Sequence, residues 1–144
     1  MRKFILTLII LLFSISIFAH GPTPQKVQES VTVSVTPTKA WSVIKDFSEF
    51  KKIMKTRSFD DEIMKIKYEL LKADVPFSDY NAYIIVKKGA NDNESVIQWT
   101  ARFYRIYKLN PPIPEGQDDA TAVAAVKKIV GPGLVSLKKA LQSK

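Results

Sequence analysis

The chain has 144 residues, a formal net charge of +8 and no cysteine. Without cysteine, disulfides and thiol chemistry are excluded, so a chain of this length is expected to form one domain that depends on its hydrophobic core. The excess of positive charge favours attraction to an acidic protein or an anionic lipid surface, or it serves solubility alone, and composition does not separate these readings.

The N-terminal segment, 1–19, has the pattern of a secretory signal peptide. Arg2 and Lys3 precede an apolar run, and Ala19 is a small residue of the kind found at cleavage sites. An uncleaved anchor is the alternative, although the run is shorter than the about 20 residues of a membrane span. We expect cleavage near Ala19, a mature chain that starts at His20, and location in the periplasm. Export argues against nucleic acid as a partner.

The first part of the mature chain is expected to contain a tail, a strand and two helices. Residues 20–26 are rich in glycine and proline and form an extended tail before a single domain over 27–144. Alternation over 27–35 predicts a strand with one buried face. Thr36 can cap a helix that Pro37 starts, and a second short helix should follow. Their apolar residues are Ala40, Trp41, Ile44 and Phe47, then Phe50, Ile53 and Met54.

Three more strands are predicted before the C-terminal helix. Residues 62–72 alternate between apolar and charged side chains, 72–79 form a turn, and 80–87 form the next strand. Turn-forming residues over 88–94 join it to a long strand, 96–107, as a hairpin. The apolar face of this last strand consists of Ile97, Trp99, Ala101 and Phe103.

A long helix should end the chain. Residues 110–120 lead into it, and Asp118 or Asp119 can cap it. An interior proline costs about 3 kcal/mol, so Gly-Pro-Gly at 131–133 is expected to divide the helix into two pieces that share one apolar stripe. That stripe consists of Val123, Val126, Val130, Leu134, Leu137 and Leu141. The order of elements predicts an α+β helix-grip fold, with an antiparallel sheet packed on a long kinked C-terminal helix.

Six segments in this order resemble one family. They are HGPTPQKV (20–27), AWSVIKDFSEF (40–50), DVPFSDYNAYI (74–84), WTARFYR (99–105), NPP (110–112) and DDATAVAAV (118–126). Together they resemble the MxaD-type periplasmic proteins of methanol oxidation, within the SRPBCC superfamily, also called START-like or polyketide cyclase-like.

The resemblance implies a fold and a role. The family has a seven-stranded antiparallel sheet around a long C-terminal helix and no established catalytic residues. It implies a non-enzymatic accessory protein, without a cofactor, that assists the coupling of methanol dehydrogenase to its cytochrome c through protein contact. The wider superfamily implies an alternative, a periplasmic carrier of a lipid or small apolar ligand.

The chain departs from that family in the first half of the sheet. Relatives carry about three strands where this chain has only residues 55–61, so we expect a sheet of about four strands with a new edge at 62–71. Lysines at this edge, Lys65, Lys67 and Lys72, would discourage further pairing.

The segment 98–112 mixes aromatic and cationic residues, and this mixture has three interpretations. A plain strand explains the apolar positions, nucleic-acid binding conflicts with export, and a docking patch explains the cations and tyrosines. If Arg102 lay on the covered face it would need a carboxylate, from Asp46 or Asp79. We predict a partner-binding patch near the proline loop. It comprises Arg102, Tyr104, Arg105, Tyr107 and Lys108.

The carrier alternative predicts a pocket between the sheet and the last helix. Its residues are Trp41, Tyr80, Trp99, Phe103, Val130 and Leu134. No metal site is predicted, because His20 is the only histidine. The acidic run 60–62 is interpreted as a solvated turn in preference to a catalytic dyad.

Overall fold

A computed structural model describes residues 21–71 and 74–143, which contain five strands and three helices. The predicted signal peptide, together with His20 and Lys72, lies outside the described residues. The elements in chain order are β1 (Gln25–Val33), α1 (Pro37–Lys45), α2 (Ser48–Lys51), β2 (Met54–Asp60), β3 (Lys65–Leu70), β4 (Phe77–Lys88), β5 (Ser95–Arg105) and α3 (Asp119–Gln142).

The strands form one antiparallel sheet in the order β1-β5-β4-β3-β2. The predicted hairpin between the strand at 80–87 and the last strand is confirmed, and β1 pairs with the other side of β5. The expected number of four strands is wrong, because residues 55–61 do not merely bridge two elements. Most of them belong to β2, which pairs with β3 from Met54 opposite Leu70 to Asp60 opposite Lys65.

The free edge on this side is therefore β2, and the strand carrying Lys65 and Lys67 is an inner one. Six of the seven residues of β2 are exposed. Lys55 and Arg57 both approach the carboxylate of Glu69 on β3, at 3.8 and 3.5 Å. The pairing register also shifts beside Arg57. Charges and an irregular register both discourage edge-to-edge association.

The core lies between one face of the sheet and the helices, chiefly α3. The predicted apolar face of β5 is fully buried, as is most of the predicted helix stripe, although Val123 is only half-buried. Each such side chain contributes about 1.5–3 kcal/mol when it leaves water. The buried residues of α3 are Ala122, Val126, Val130, Leu134, Leu137 and Leu141.

The helix α3 is continuous, which corrects the expected division at Gly-Pro-Gly. Asp118 caps it by accepting the Thr121 N–H at 2.7 Å. Pro132 lies on the exposed side, where a carbonyl that lacks its usual donor can face water. Buried residues before and after the proline hold both halves against one sheet. By length and composition alone, with a mean hydropathy of 1.4, α3 would also suffice to cross a membrane.

Gly133 has a packing role in this helix. A Cβ atom placed on it would lie 2.5 Å from Cζ3 of Trp99, whereas one placed on Gly131 would meet only Glu29, at 3.5 Å. The missing side chain at position 133 lets α3 approach the indole ring closely. The two glycines that flank Pro132 therefore differ: a side chain at position 133 would collide with the Trp99 ring, whereas one at position 131 would make only an ordinary contact with Glu29.

Asp61 fastens the β2–β3 turn to α1. Its Oδ1 accepts hydrogen bonds from Trp41 Nε1 at 2.8 Å and Lys45 Nζ at 2.7 Å. The Lys45 ammonium also lies 4.8 Å from the centre of the Phe59 ring. The hydrogen bonds from Lys45 and then Trp41 hold the pKa of the Asp61 carboxyl below its usual value. The predicted solvated turn thus includes a specific contact to the first helix.

Alanine substitutions at the two glycines should have opposite effects. Gly131→Ala should stabilise the protein by up to about 1 kcal/mol, because alanine is the better helix former. Gly133→Ala should destabilise it by about 1–3 kcal/mol, because the Trp99 ring must move. Urea unfolding of both variants measures the difference. Equal stabilisation by both would show that Gly133 does not rest on the ring.

Asp61→Asn should lower the melting temperature by a few degrees at pH 7. Since the folded-state pKa of Asp61 is lowered, its contribution is present above the ordinary value of 3.8 and is lost as the pH falls through the folded-state pKa. The difference from the parent should therefore vanish in acid. Asp92→Asn is the control, since it removes a highly exposed ion pair with Lys88. A penalty for Asp61→Asn that persists unchanged in acid would contradict this explanation.

Candidate functional site

The predicted partner-binding patch is only partly a surface. Arg102 is exposed, and Tyr104 and Tyr107 are half-buried. Lys108 lies with its Nζ 4.5 Å from the centre of the Tyr104 ring and donates to Asp79 at 2.5 Å. Asp79 therefore forms an ion pair with Lys108. Arg102 is exposed to solvent, so it does not require a carboxylate partner. These four residues remain reachable by a partner.

Arg105 does not belong to this surface. It is only 6% exposed and lies on the same face of β5 as Phe103. Its guanidinium donates to the carbonyl oxygens of Tyr107 at 2.8 Å and Leu109 at 3.3 Å, and to Asp119 Oδ2 at 3.2 Å. Arg105 thus ties the loop after β5 to the first turn of α3. Removing it would leave the partly buried Asp119 carboxylate uncompensated.

The residues predicted for a ligand pocket do not enclose one. All six are packed in the core; Trp99 also borders an open cleft, and Tyr80 borders a separate shallow depression beside Asp79. Aromatic rings fill the space that a deep cavity would occupy.

These rings form two groups of contacts. Phe50 meets Trp99 and Tyr68 edge-on, at centroid distances of 5.0 and 5.7 Å. Phe77 meets Tyr80 and Phe103 at 5.6 and 5.8 Å. Burial raises the pKa of Tyr80 to about 12, with the neighbouring Trp99 acting in the opposite direction, so the phenol fills the interior as a neutral group.

An open cleft of about 300 Å³ lies between α2 and the middle of α3, and we call it the α2–α3 cleft. Most of its surface is apolar, while two lysines and a serine supply the polar groups. The lining residues are Phe47, Phe50, Lys52, Ile53, Trp99, Lys128, Ile129, Pro132, Gly133 and Ser136.

The local backbone explains why the cleft stays open. Phe47 packs edge-on against Phe50 at 4.9 Å, so the short α2 segment is held by its own aromatic pair. Ile53 accepts the Leu71 N–H at 3.0 Å, which fixes the end of that segment to the sheet. On the opposite wall, Gly133 carries no side chain over the Trp99 ring. Gly-Pro-Gly at 131–133 is visible in the sequence, but its composition predicts a helix break and gives no sign that part of it lines a cleft.

The size and lining of the cleft are similar to those of small ligand pockets. Its volume is at the small end of ligand pockets, and an apolar wall with few polar groups is typical of them. Within the described residues, no group of three or more His, Cys, Asp or Glu side chains could hold a metal ion. In the acidic run, Asp60 accepts the backbone N–H groups of Glu62 and Ile63 at 3.0 and 3.3 Å, and Asp61 binds α1.

No family model and no curated protein matches the chain. Several solved structures are similar to it. An uncharacterized protein from Bacillus thuringiensis has 19% identity and a TM-score of 0.65, over 81% of this chain and 98% of that one. Protein XoxI from Bacillus cereus has 18% identity and a TM-score of 0.64, over 81% and 94%. The ZhuI aromatase/cyclase from Streptomyces sp. R1128 has 14% identity and a TM-score of 0.64, over 83% and 97%. At these identities the likeness shows the fold alone: the chain has an α+β helix-grip fold, with an antiparallel sheet packed on a C-terminal helix, like that of the aromatase/cyclase.

Proposed function

We propose that this protein is a non-enzymatic binding protein whose α2–α3 cleft takes a small amphipathic anion. Such a ligand has an aromatic or short acyl body and one acidic group. The observation that carries the proposal is an apolar cleft, with Trp99 in its lining, that includes Lys52 and Lys128 among its walls. The fold fits a ligand-binding domain.

The size and charge of the cleft narrow the ligand class. Removing apolar surface from water contributes about 25 cal/mol per Å², so an aromatic body gains most against the partly exposed Phe47, Ile53 and Ile129. An ammonium group next to this surface favours an acid over a neutral molecule of equal shape. Because aromatic side chains fill the deeper interior, a compact ligand fits better than a long lipid chain. The carrier alternative therefore applies to a small ligand and not to a long lipid chain.

A side chain that fills the cleft should abolish binding. Anilinonaphthalene sulfonate is a suitable probe, because it joins an aromatic body to one negative charge. Ser136 lines the cleft and is exposed, so Ser136→Tyr should fill the cleft without disturbing the core. We expect its affinity for the probe to fall by about tenfold or more, equivalent to about 1.4 kcal/mol. Fluorescence titration measures it.

Val135→Tyr is the matched control, since Val135 is the neighbouring residue, is 65% exposed and does not line the cleft. It should bind the probe as the parent does. Lys128→Gln should reduce the preference for the sulfonate over neutral N-phenylnaphthylamine. Equal binding by both tyrosine variants, or no binding by the parent, would contradict the proposal.

The second candidate is the accessory role in periplasmic methanol oxidation that the family resemblance implies. It is supported by the surface that Arg102, Tyr104, Tyr107 and Lys108 still present, because tyrosine and arginine are common in interface hot spots. In this role the protein would bind methanol dehydrogenase, its cytochrome c, or both, without taking part in the chemistry. Both candidates leave the protein without a catalytic function, and they differ in the face that is used.

Substitutions in this patch should weaken binding to the purified dehydrogenase or cytochrome. Arg102→Glu and Tyr107→Ala should each reduce the affinity, and binding by the parent should weaken as ionic strength rises. Lys138→Glu, on the exposed side of α3, is the control for net charge. Binding of neither protein at low ionic strength would exclude the accessory role and leave the cleft proposal untouched.

A further inference from the structure

The side of the sheet that faces away from the helices carries an excess of positive charge. The register aligns Lys26 of β1 with Arg102 of β5, and Lys67 of β3 with Tyr83 of β4. Seven cations and two carboxylates occupy the outward positions of the five strands, a net excess of five charges. The cations are Lys26, Lys55, Arg57, Lys65, Lys67, Lys87 and Arg102, and the carboxylates are Asp60 and Glu69. We call this surface the basic sheet face.

Tyr83 lies near the centre of this face and reports its potential. The Nζ of Lys65 is 4.2 Å from the centre of the Tyr83 ring. The pKa of the Tyr83 phenol is lowered, first by hydrogen bonding with Thr100 and then by the charges of Lys65, Lys26 and Arg102. Charges from three strands therefore act together at one point.

An exposed apolar corner adjoins the basic sheet face. Phe59, near the end of β2, is 58% exposed, and Ile63 in the following turn is 51% exposed. Both line a shallow depression that also includes Lys65 and Lys67. Ile63 thus stands beside lysines at one edge of the face, whereas Phe59 pairs with the core-facing Ile66 and its ring lies against Lys45 of α1, on the other side of the sheet.

We propose that the basic sheet face docks on an anionic lipid bilayer, with Ile63 entering the interface. The lipid headgroups would face the cations, each of which contributes about 1 kcal/mol near such a surface. Cations combined with an apolar insertion give the two contributions that peripheral membrane proteins commonly use.

The kinds of residue favour a bilayer over an acidic protein. Five of the seven cations are lysines, which are depleted in protein interfaces, where arginine is enriched. Lysine is a strongly hydrated point charge that is attracted to a charged plane without needing the paired geometry that suits arginine. Tyr83 and Tyr104 on the same side are of a type enriched at membrane–water interfaces.

Docking in this way would leave the α2–α3 cleft accessible. The cleft lies between α2 and α3 on the helix-covered side of the sheet, whereas the basic sheet face lies on the opposite side. Failure of lipid docking would therefore say nothing against the cleft, and the reverse also holds.

The test is sedimentation with vesicles made of equal amounts of phosphatidylglycerol and phosphatidylcholine, or of phosphatidylcholine alone. The chain from His20 onward is used, since it keeps every described strand and helix and lacks the apolar N-terminal run. Binding should occur only to the anionic vesicles and should weaken with salt. Replacing Lys26, Lys67 and Lys87 together with glutamine should reduce it roughly 100-fold, about fivefold for each lysine.

Two matched controls distinguish binding by this face from the effects of net charge and of non-specific apolar adsorption. Replacing Lys127, Lys138 and Lys139 on α3 with glutamine removes the same charge and should have a much smaller effect. Ile63→Ser should weaken binding severalfold, whereas Val135→Ser should not.

Equal losses from both lysine sets, or no binding of the parent to anionic vesicles at low ionic strength, would overturn the proposal. Salt-sensitive binding to poly-glutamate without vesicle binding would assign the face to an acidic protein instead, and would overturn it as well.

Discussion

The close contact between Gly133 of α3 and the indole ring of Trp99 of β5 is the constraint on which the rest of this structure depends. It brings the C-terminal helix onto the sheet at the point where the proline would otherwise be expected to divide it. With the helix held there, Val130 and Leu134 are buried on either side, and the exposed face of Pro132 becomes one wall of the α2–α3 cleft. A five-stranded sheet with one polar edge can then close its core with α3, while α1 buries Trp41 and Ile44 beside it.

Two further contacts complete the arrangement, and each joins elements that are distant along the chain. Arg105 fastens the loop after β5 to the N-terminal turn of α3, and Asp61 fastens the β2–β3 turn to α1. Both use charged groups, but in different surroundings. Arg105 is buried and must be compensated by its partners, whereas Asp61 is exposed and is therefore sensitive to solvent and pH.

The sequence predicts much of the fold because period-two alternation reports a half-buried strand reliably when one face is apolar. This holds for 96–107, where Ile97, Trp99 and Phe103 are all buried. It fails for β2, whose residues are nearly all exposed, so no alternation marks it. The same alternation, continued two residues beyond Phe103, places Arg105 on the buried face, so the sequence does contain the signal for its burial.

The cleft and the basic sheet face could not be predicted in the same way. Helix propensity correctly predicts that Pro132 destabilises the helix. It contains no information about the sheet, which supports the helix on both sides of the proline. The basic sheet face depends on register, which alignments such as Lys26 with Arg102 reveal and the linear sequence does not. The two proposed functions would use opposite sides of the sheet, with ligand binding beside α3 and lipid docking on the basic sheet face.

Fluorescence of Trp99 tests the central claim most directly, because the chain has only two tryptophans. In a folded Trp41→Phe variant, all tryptophan emission comes from the residue that the account places in the lining of the cleft. Titration with anilinonaphthalene sulfonate should then quench this emission saturably, with one probe bound for each chain. Binding of the probe without any change in Trp99 emission would contradict the account.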